Sequence, residues 1–64
     1  MKFHPIEHAL RDGTEYLLYG VFEDGTPWWE VGYWGESHRD IAEWMEGRDL
    51  APLTPTHYAV LEQP

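Results

Sequence analysis

The chain has 64 residues, with 12 acidic against 4 basic side chains and a formal net charge of −8. A chain this short forms one small domain, here residues 1–64, that buries about 60% of the surface its unfolded form exposes. Its negative charge argues against direct binding to nucleic acid or anionic lipid and steers it toward partners with basic surfaces.

There is no cysteine, so neither disulfides nor thiolate metal sites supplement the core, and a cytoplasmic location is expected. Met1-Lys2-Phe3-His4-Pro5 carries one basic residue and no apolar stretch behind it, so no signal sequence or bilayer span is expected. Ten aromatic residues and a 42% hydrophobic content are too much apolar material for a disordered acidic tail.

In chain order, Pro5 at a first-turn position, Ile6, Ala9 and Leu10 at three- and four-residue spacing, and a stop at Asp12-Gly13 predict a short amphipathic helix. Glu15 to Phe22 is a β-prone run, apolar on both alternating faces, and predicts a central strand. Glu23-Asp24-Gly25-Thr26-Pro27 predicts a turn, because Asp-Gly supplies a positive φ and Pro27 cannot donate to a ladder. Trp28 to Trp34 returns as the second strand of a hairpin.

Ser37 as an N-cap and Gly47 as a stop predict a second helix between them. Asp49 to Pro55 reads as a loop pinned by Leu50 and Leu53, and His57 to Leu61 as a third strand. The expected fold is α+β: a three-stranded antiparallel sheet against two short helices, in the order α-β-β-α-β. No repeat, linker or second domain interrupts it.

Catalytic chemistry is not expected. Ser37 is the only serine, no cysteine is present, and the glycine spacing fits neither a P-loop nor a dinucleotide fingerprint. His4 and His8, four apart on the predicted first helix near Glu7, have the spacing of two metal ligands, but no third ligand accompanies them. They read as exposed helix-end residues. His38 reads as a solvated turn residue and His57 as a structural hydrogen-bonding group. No cofactor or metal is expected.

Trp28, Trp29, Tyr33, Trp34, Tyr16, Tyr19 and Phe22 gather on the predicted hairpin. A small core needs large side chains, yet two short helices cover one sheet face better than the other, leaving part of this set to anchor an interface. The acids carry the sharper signal. On the predicted second helix, at about 100° per residue, Glu36, Asp40 and Glu43 fall within about 60° of one another, with Glu46 about 60° further round. Ile41, Trp44 and Met45 take the opposite side, and Asp49 continues the carboxylate row beyond the helix. Carboxylates spaced along a rigid element imitate the phosphates of a nucleic-acid strand, and Glu23, Asp24 and Glu30 on the hairpin extend the set.

Three stretches resemble a family of small phage and prophage domains of unknown function: Glu15-Tyr16-Leu17-Leu18-Tyr19-Gly20, Trp29-Glu30-Val31-Gly32-Tyr33-Trp34, and the closing Thr56-His57-Tyr58-Ala59-Val60-Leu61-Glu62-Gln63-Pro64. The last departs from the family's Thr-His-Trp-Met-Pro-Leu-Pro-like ending, with Tyr58 for Trp and Val60 for Pro, and the predicted first helix replaces the family's usual opening. The resemblance implies a mobile-genetic-element origin and assigns no catalytic residue. By class, small acidic phage proteins without catalytic motifs resemble anti-CRISPR inhibitors that mimic DNA.

The leading expectation is therefore a monomeric, non-enzymatic, phage-encoded inhibitor of host defence. It would place Glu36, Asp40, Glu43, Glu46, Asp49, Glu23, Asp24 and Glu30 into the basic DNA-recognition surface of a host protein, such as a Cas protein of an interference complex, and block target DNA. The alternatives are an accessory or assembly module docking through the aromatic hairpin face, and a metal- or small-molecule-binding domain using His4 and His8.

Overall fold

The computed structural model describes residues 2–61. Met1 and the Glu62-Gln63-Pro64 end of the closing motif lie outside the described residues. The described residues form five strands, β1 (His4–Pro5), β2 (Tyr16–Val21), β3 (Pro27–Glu36), β4 (Ala42–Glu46) and β5 (His57–Val60), with a single 3-10 turn at Ile6–His8. They make one antiparallel sheet in the order β1-β5-β2-β3-β4. The three-stranded sheet with two helices is thus overturned: among the described residues there is no α-helix.

The β2–β3 hairpin lies where the sequence places it. Gly25 takes φ +89°, and the turn closes through Phe22 N–H to the Thr26 carbonyl at 2.8 Å and Gly25 N–H to the Phe22 carbonyl at 2.9 Å. Asp24 Oδ1 accepts the Thr26 N–H at 2.9 Å, a local bond that fixes the corner.

The predicted first helix shrinks to the 3-10 turn because a nucleus of so few residues costs more than one turn of hydrogen bonds returns, while tertiary partners satisfy the backbone instead. Ile6 N–H donates to the Thr56 carbonyl at 3.0 Å, and Leu10 N–H donates to the Tyr16 hydroxyl at 3.3 Å. The segment becomes a strap over the sheet. Ala9 is buried and Ile6 packs beside it, whereas Leu10, expected to face the core, is 61% exposed.

The predicted second helix is instead the tip of a hairpin followed by β4. Ser37 does cap a backbone N–H, but it is that of Arg39, at 3.1 Å, within a turn closed by Asp40 N–H to the Ser37 carbonyl and Ser37 N–H to the Ile41 carbonyl. Asp40 sits at φ +59°, where a side chain is tolerated best when it is Asn or Asp. Trp44 and Met45, neighbours in sequence, are both buried on opposite sides of a strand. A helix would have placed them on one side, with Ile41, which is 50% exposed.

After β4, residues 51–53 run along its outer edge, with Glu46 N–H donating to Ala51 and Leu53 N–H to Trp44, and Pro52 bridges Met45. A proline-bearing segment there blunts the sheet edge. The chain then crosses to the far side of β2, where Thr56 N–H reaches the Tyr19 carbonyl at 2.8 Å, and enters β5.

Candidate functional site

Residues directly paired across antiparallel strands point to the same side of the sheet. On one face stand Tyr16, Leu18 and Gly20 of β2, Trp28, Glu30, Gly32 and Trp34 of β3, Trp44 of β4 and Tyr58 of β5. This is the covered face. Leu18 is fully buried at its centre, Tyr16 packs edge-on against Tyr58 with ring centroids 4.8 Å apart, and Trp34 meets Trp44 at 5.4 Å. Ile6, Ala9 and Leu53 close over them, and the Arg11 guanidinium lies 4.4 Å above the Trp34 ring.

The other face carries Leu17 and Tyr19 of β2, Trp29, Val31 and Tyr33 of β3, Met45 of β4 and Ala59 of β5. Among the described residues no strap crosses its middle. Met45 and Ala59 are buried, but Trp29 is 54% and Val31 40% exposed, and Phe3, also exposed, stacks toward Tyr19 at 5.6 Å. Tyr19 in turn meets Trp29 at 5.7 Å and His57 at 6.1 Å. An apolar, largely aromatic surface therefore sits on β2, which is paired on both sides, and on the half of β3 held by its ladder to β2 and by the Gly47 N–H to the Val31 carbonyl at 2.9 Å.

The structure does not assemble the acids into a row. Glu36 and Glu46 belong to the covered face and Glu43 to the open one, because a spacing of three along a strand reverses the side. Asp40 lies in the β3–β4 turn, and Asp49 in the turn after β4. Glu23 and Asp24 lie at the opposite end of β3, a strand of ten residues spanning about 30 Å. Glu43 is held by Arg39, whose Nε donates over 3.1 Å and whose terminal nitrogen also bonds it. That bond, with a further one from Ser37, holds the Glu43 carboxyl below its ordinary value. Glu46 Oε1 accepts the Arg48 N–H at 2.8 Å. Asp24 is lowered by bonds from the Thr26 backbone and hydroxyl, and Asp12 by the Thr14 hydroxyl and backbone.

Glu23 and Glu30 do come together. With Val21, Phe22, Trp28, Pro52, Leu53 and Thr54 they line a cleft of about 320 Å³ at one end of the sheet. Sequence reasoning missed this cleft because residues 52–54 reach it only through the crossing to β5.

The helical placement that set His4 and His8 one turn apart is overturned: His4 is in β1 with its ring 5.5 Å from Tyr58, and His8 ends the 3-10 turn. Among the described residues no three His, Asp or Glu side chains gather as metal ligands, and no helix is long and apolar enough to cross a membrane. His57 Nδ1 lies 2.9 Å from the Thr56 hydroxyl. No protein-family model matches the sequence, and no curated protein or solved structure matches it.

Proposed function

We propose that this chain is a non-catalytic protein-binding domain that docks through the open sheet face, with Phe3, Tyr19, Trp29 and Val31 as its anchors. The observation that carries the reading is Trp29, 54% exposed on β3 toward the β2–β3 turn, against Tyr19 and two residues from Val31. Large aromatic side chains on a rigid support are the residues that dominate interface energetics. The occupant is a different protein whose apolar patch is bordered by Lys and Arg. Two copies of this chain, each at −8, repel one another, whereas a basic surround is drawn in.

The test is capture from a bacterial lysate by the immobilised domain, run in parallel with the variants W29A and E36K/D40K/D49K. A partner held by wild type, lost with W29A and retained at reduced affinity by the charge-reversed variant supports docking through the open face. Equal capture by W29A and wild type refutes it.

One observation favours a second reading. Of the acids among the described residues, only Glu43 forms an ion pair with a cationic side chain, so the negative charge of the others is left without a cationic side chain to offset it, even where Asp12, Asp24 and Glu46 accept local hydrogen bonds. This keeps the phage-encoded, anti-CRISPR-type DNA mimic as an alternative, with its acids distributed over two faces and two hairpin ends. Loss of capture with E36K/D40K/D49K and strong weakening as the Debye length falls from about 10 Å at 0.1 M salt to about 3 Å at 1 M, with W29A unaffected, would favour it.

A further inference from the structure

The cleft lies at the turn end of the sheet and is lined mainly from the covered side, and none of the docking anchors Phe3, Tyr19, Trp29 and Val31 belongs to its lining. Trp28 forms one wall. Its indole lies across Gly20, its direct partner on β2, and a Cβ at Gly20 would run into the ring. The ring is therefore seated before any ligand arrives. Glu30 stands two residues further along the same strand and on the same side, and Glu23 approaches from the β2–β3 turn. Neither carboxylate has a hydrogen-bond or ion-pair partner among the described residues, and no Lys or Arg lines the cleft. Phe22, Pro52 and Leu53 supply the remaining apolar surface.

We propose that this cleft binds an organic cation, an ammonium or guanidinium group carried on a short apolar stem. A cation is attracted both by the indole face and by two carboxylates, and the apolar walls take the stem. The chain already uses half of this chemistry internally, with Arg11 4.4 Å above Trp34. At about 320 Å³ the cleft lies at the small end of ligand sites and suits one side chain or one small amine. Anions are repelled. Among the described residues no third His, Asp or Glu joins Glu23 and Glu30 to hold a metal ion.

The experiment follows the Trp28 indole N–H by NMR while the intact protein is titrated with n-butylammonium, n-butylguanidinium and the neutral isostere n-butylurea. The two cations shift that resonance saturably and n-butylurea does not. In E23Q/E30Q, checked for fold by circular dichroism, binding weakens by roughly tenfold or more. W29A lies on the other face and titrates as wild type does, so failure of the docking reading leaves this one standing, and the reverse. A glycine-flanked arginine peptide reports the source: tighter binding than n-butylguanidinium points to a protein side chain, weaker binding to a free amine. An equal response to n-butylurea, non-saturating shifts, or unchanged affinity in E23Q/E30Q would overturn the proposal.

Discussion

Replacing Gly20 with alanine isolates the contact that shapes both the hairpin and the cleft. A bare strand glycine costs about 0.5–1 kcal/mol relative to alanine, so at an open site the substitution would stabilise. Here the new Cβ would meet the Trp28 ring, with indole Nε1 at 2.9 Å, and overpacking against a well-seated ring costs about 1–3 kcal/mol. The balance for G20A is a loss of about 0–2.5 kcal/mol. In a W28A background the obstruction is gone, and the same change should become stabilising by about 0.5–1 kcal/mol. Urea unfolding of the four proteins closes the cycle and should give a coupling of about 1–3 kcal/mol. The thermal shift is about 4–8 °C per kcal/mol for a domain of this size. If G20A is destabilising by the same amount in both backgrounds, the ring does not occupy the space above Gly20 and the cleft wall is misplaced.

Leu18, with no exposed surface, sits at the centre of the covered face, and L18A should cost about 2–5 kcal/mol, enough to leave much of a marginally stable domain unfolded at 37 °C by circular dichroism. Y16F removes the hydroxyl that accepts the Leu10 N–H. It should cost about 1 kcal/mol and speed hydrogen exchange selectively in residues 6–11. The lowered carboxyls of Asp12, Asp24 and Glu43 stabilise the fold above their ordinary ionisation range and lose that contribution as pH falls through their lower folded values. Compared with D12N/D24N/E43Q, wild type should therefore be more stable at neutral pH, with the difference in urea midpoint shrinking progressively as pH falls below the ordinary carboxylate range. A difference that persists in acid would show that charge is not what those side chains contribute.

How far the sequence reaches differs along the chain. The β2–β3 hairpin was legible because everything local agrees: β-prone alternation on both arms, Asp24-Gly25 at the corner and Pro27 at the start of the return strand. Residues 37–47 were not legible, since a Ser cap, charged residues at three- and four-residue spacing and a closing glycine fit a helix as well as a tight turn and a strand. Ser37 uses the same cap chemistry in either case. What settles the choice is β3, whose second half offers a ladder that β4 fills from Gly32 to Glu36 and whose covered face needs Trp44 against Trp34.

The sequence by itself determined the charge, the central hairpin and the pool of aromatic side chains from which both the core and any interface must be drawn. Only the tertiary structure decided which of those aromatics are spent on the core. The strap at 6–11 and the crossing after β4 both cover the same face, burying Tyr16 and Trp44 and leaving Trp29 and Val31 outside. The acids follow the same logic, because strand geometry alternates sides where a helix would have aligned them. Coverage and side are set by contacts between distant segments, and no local pattern encodes them.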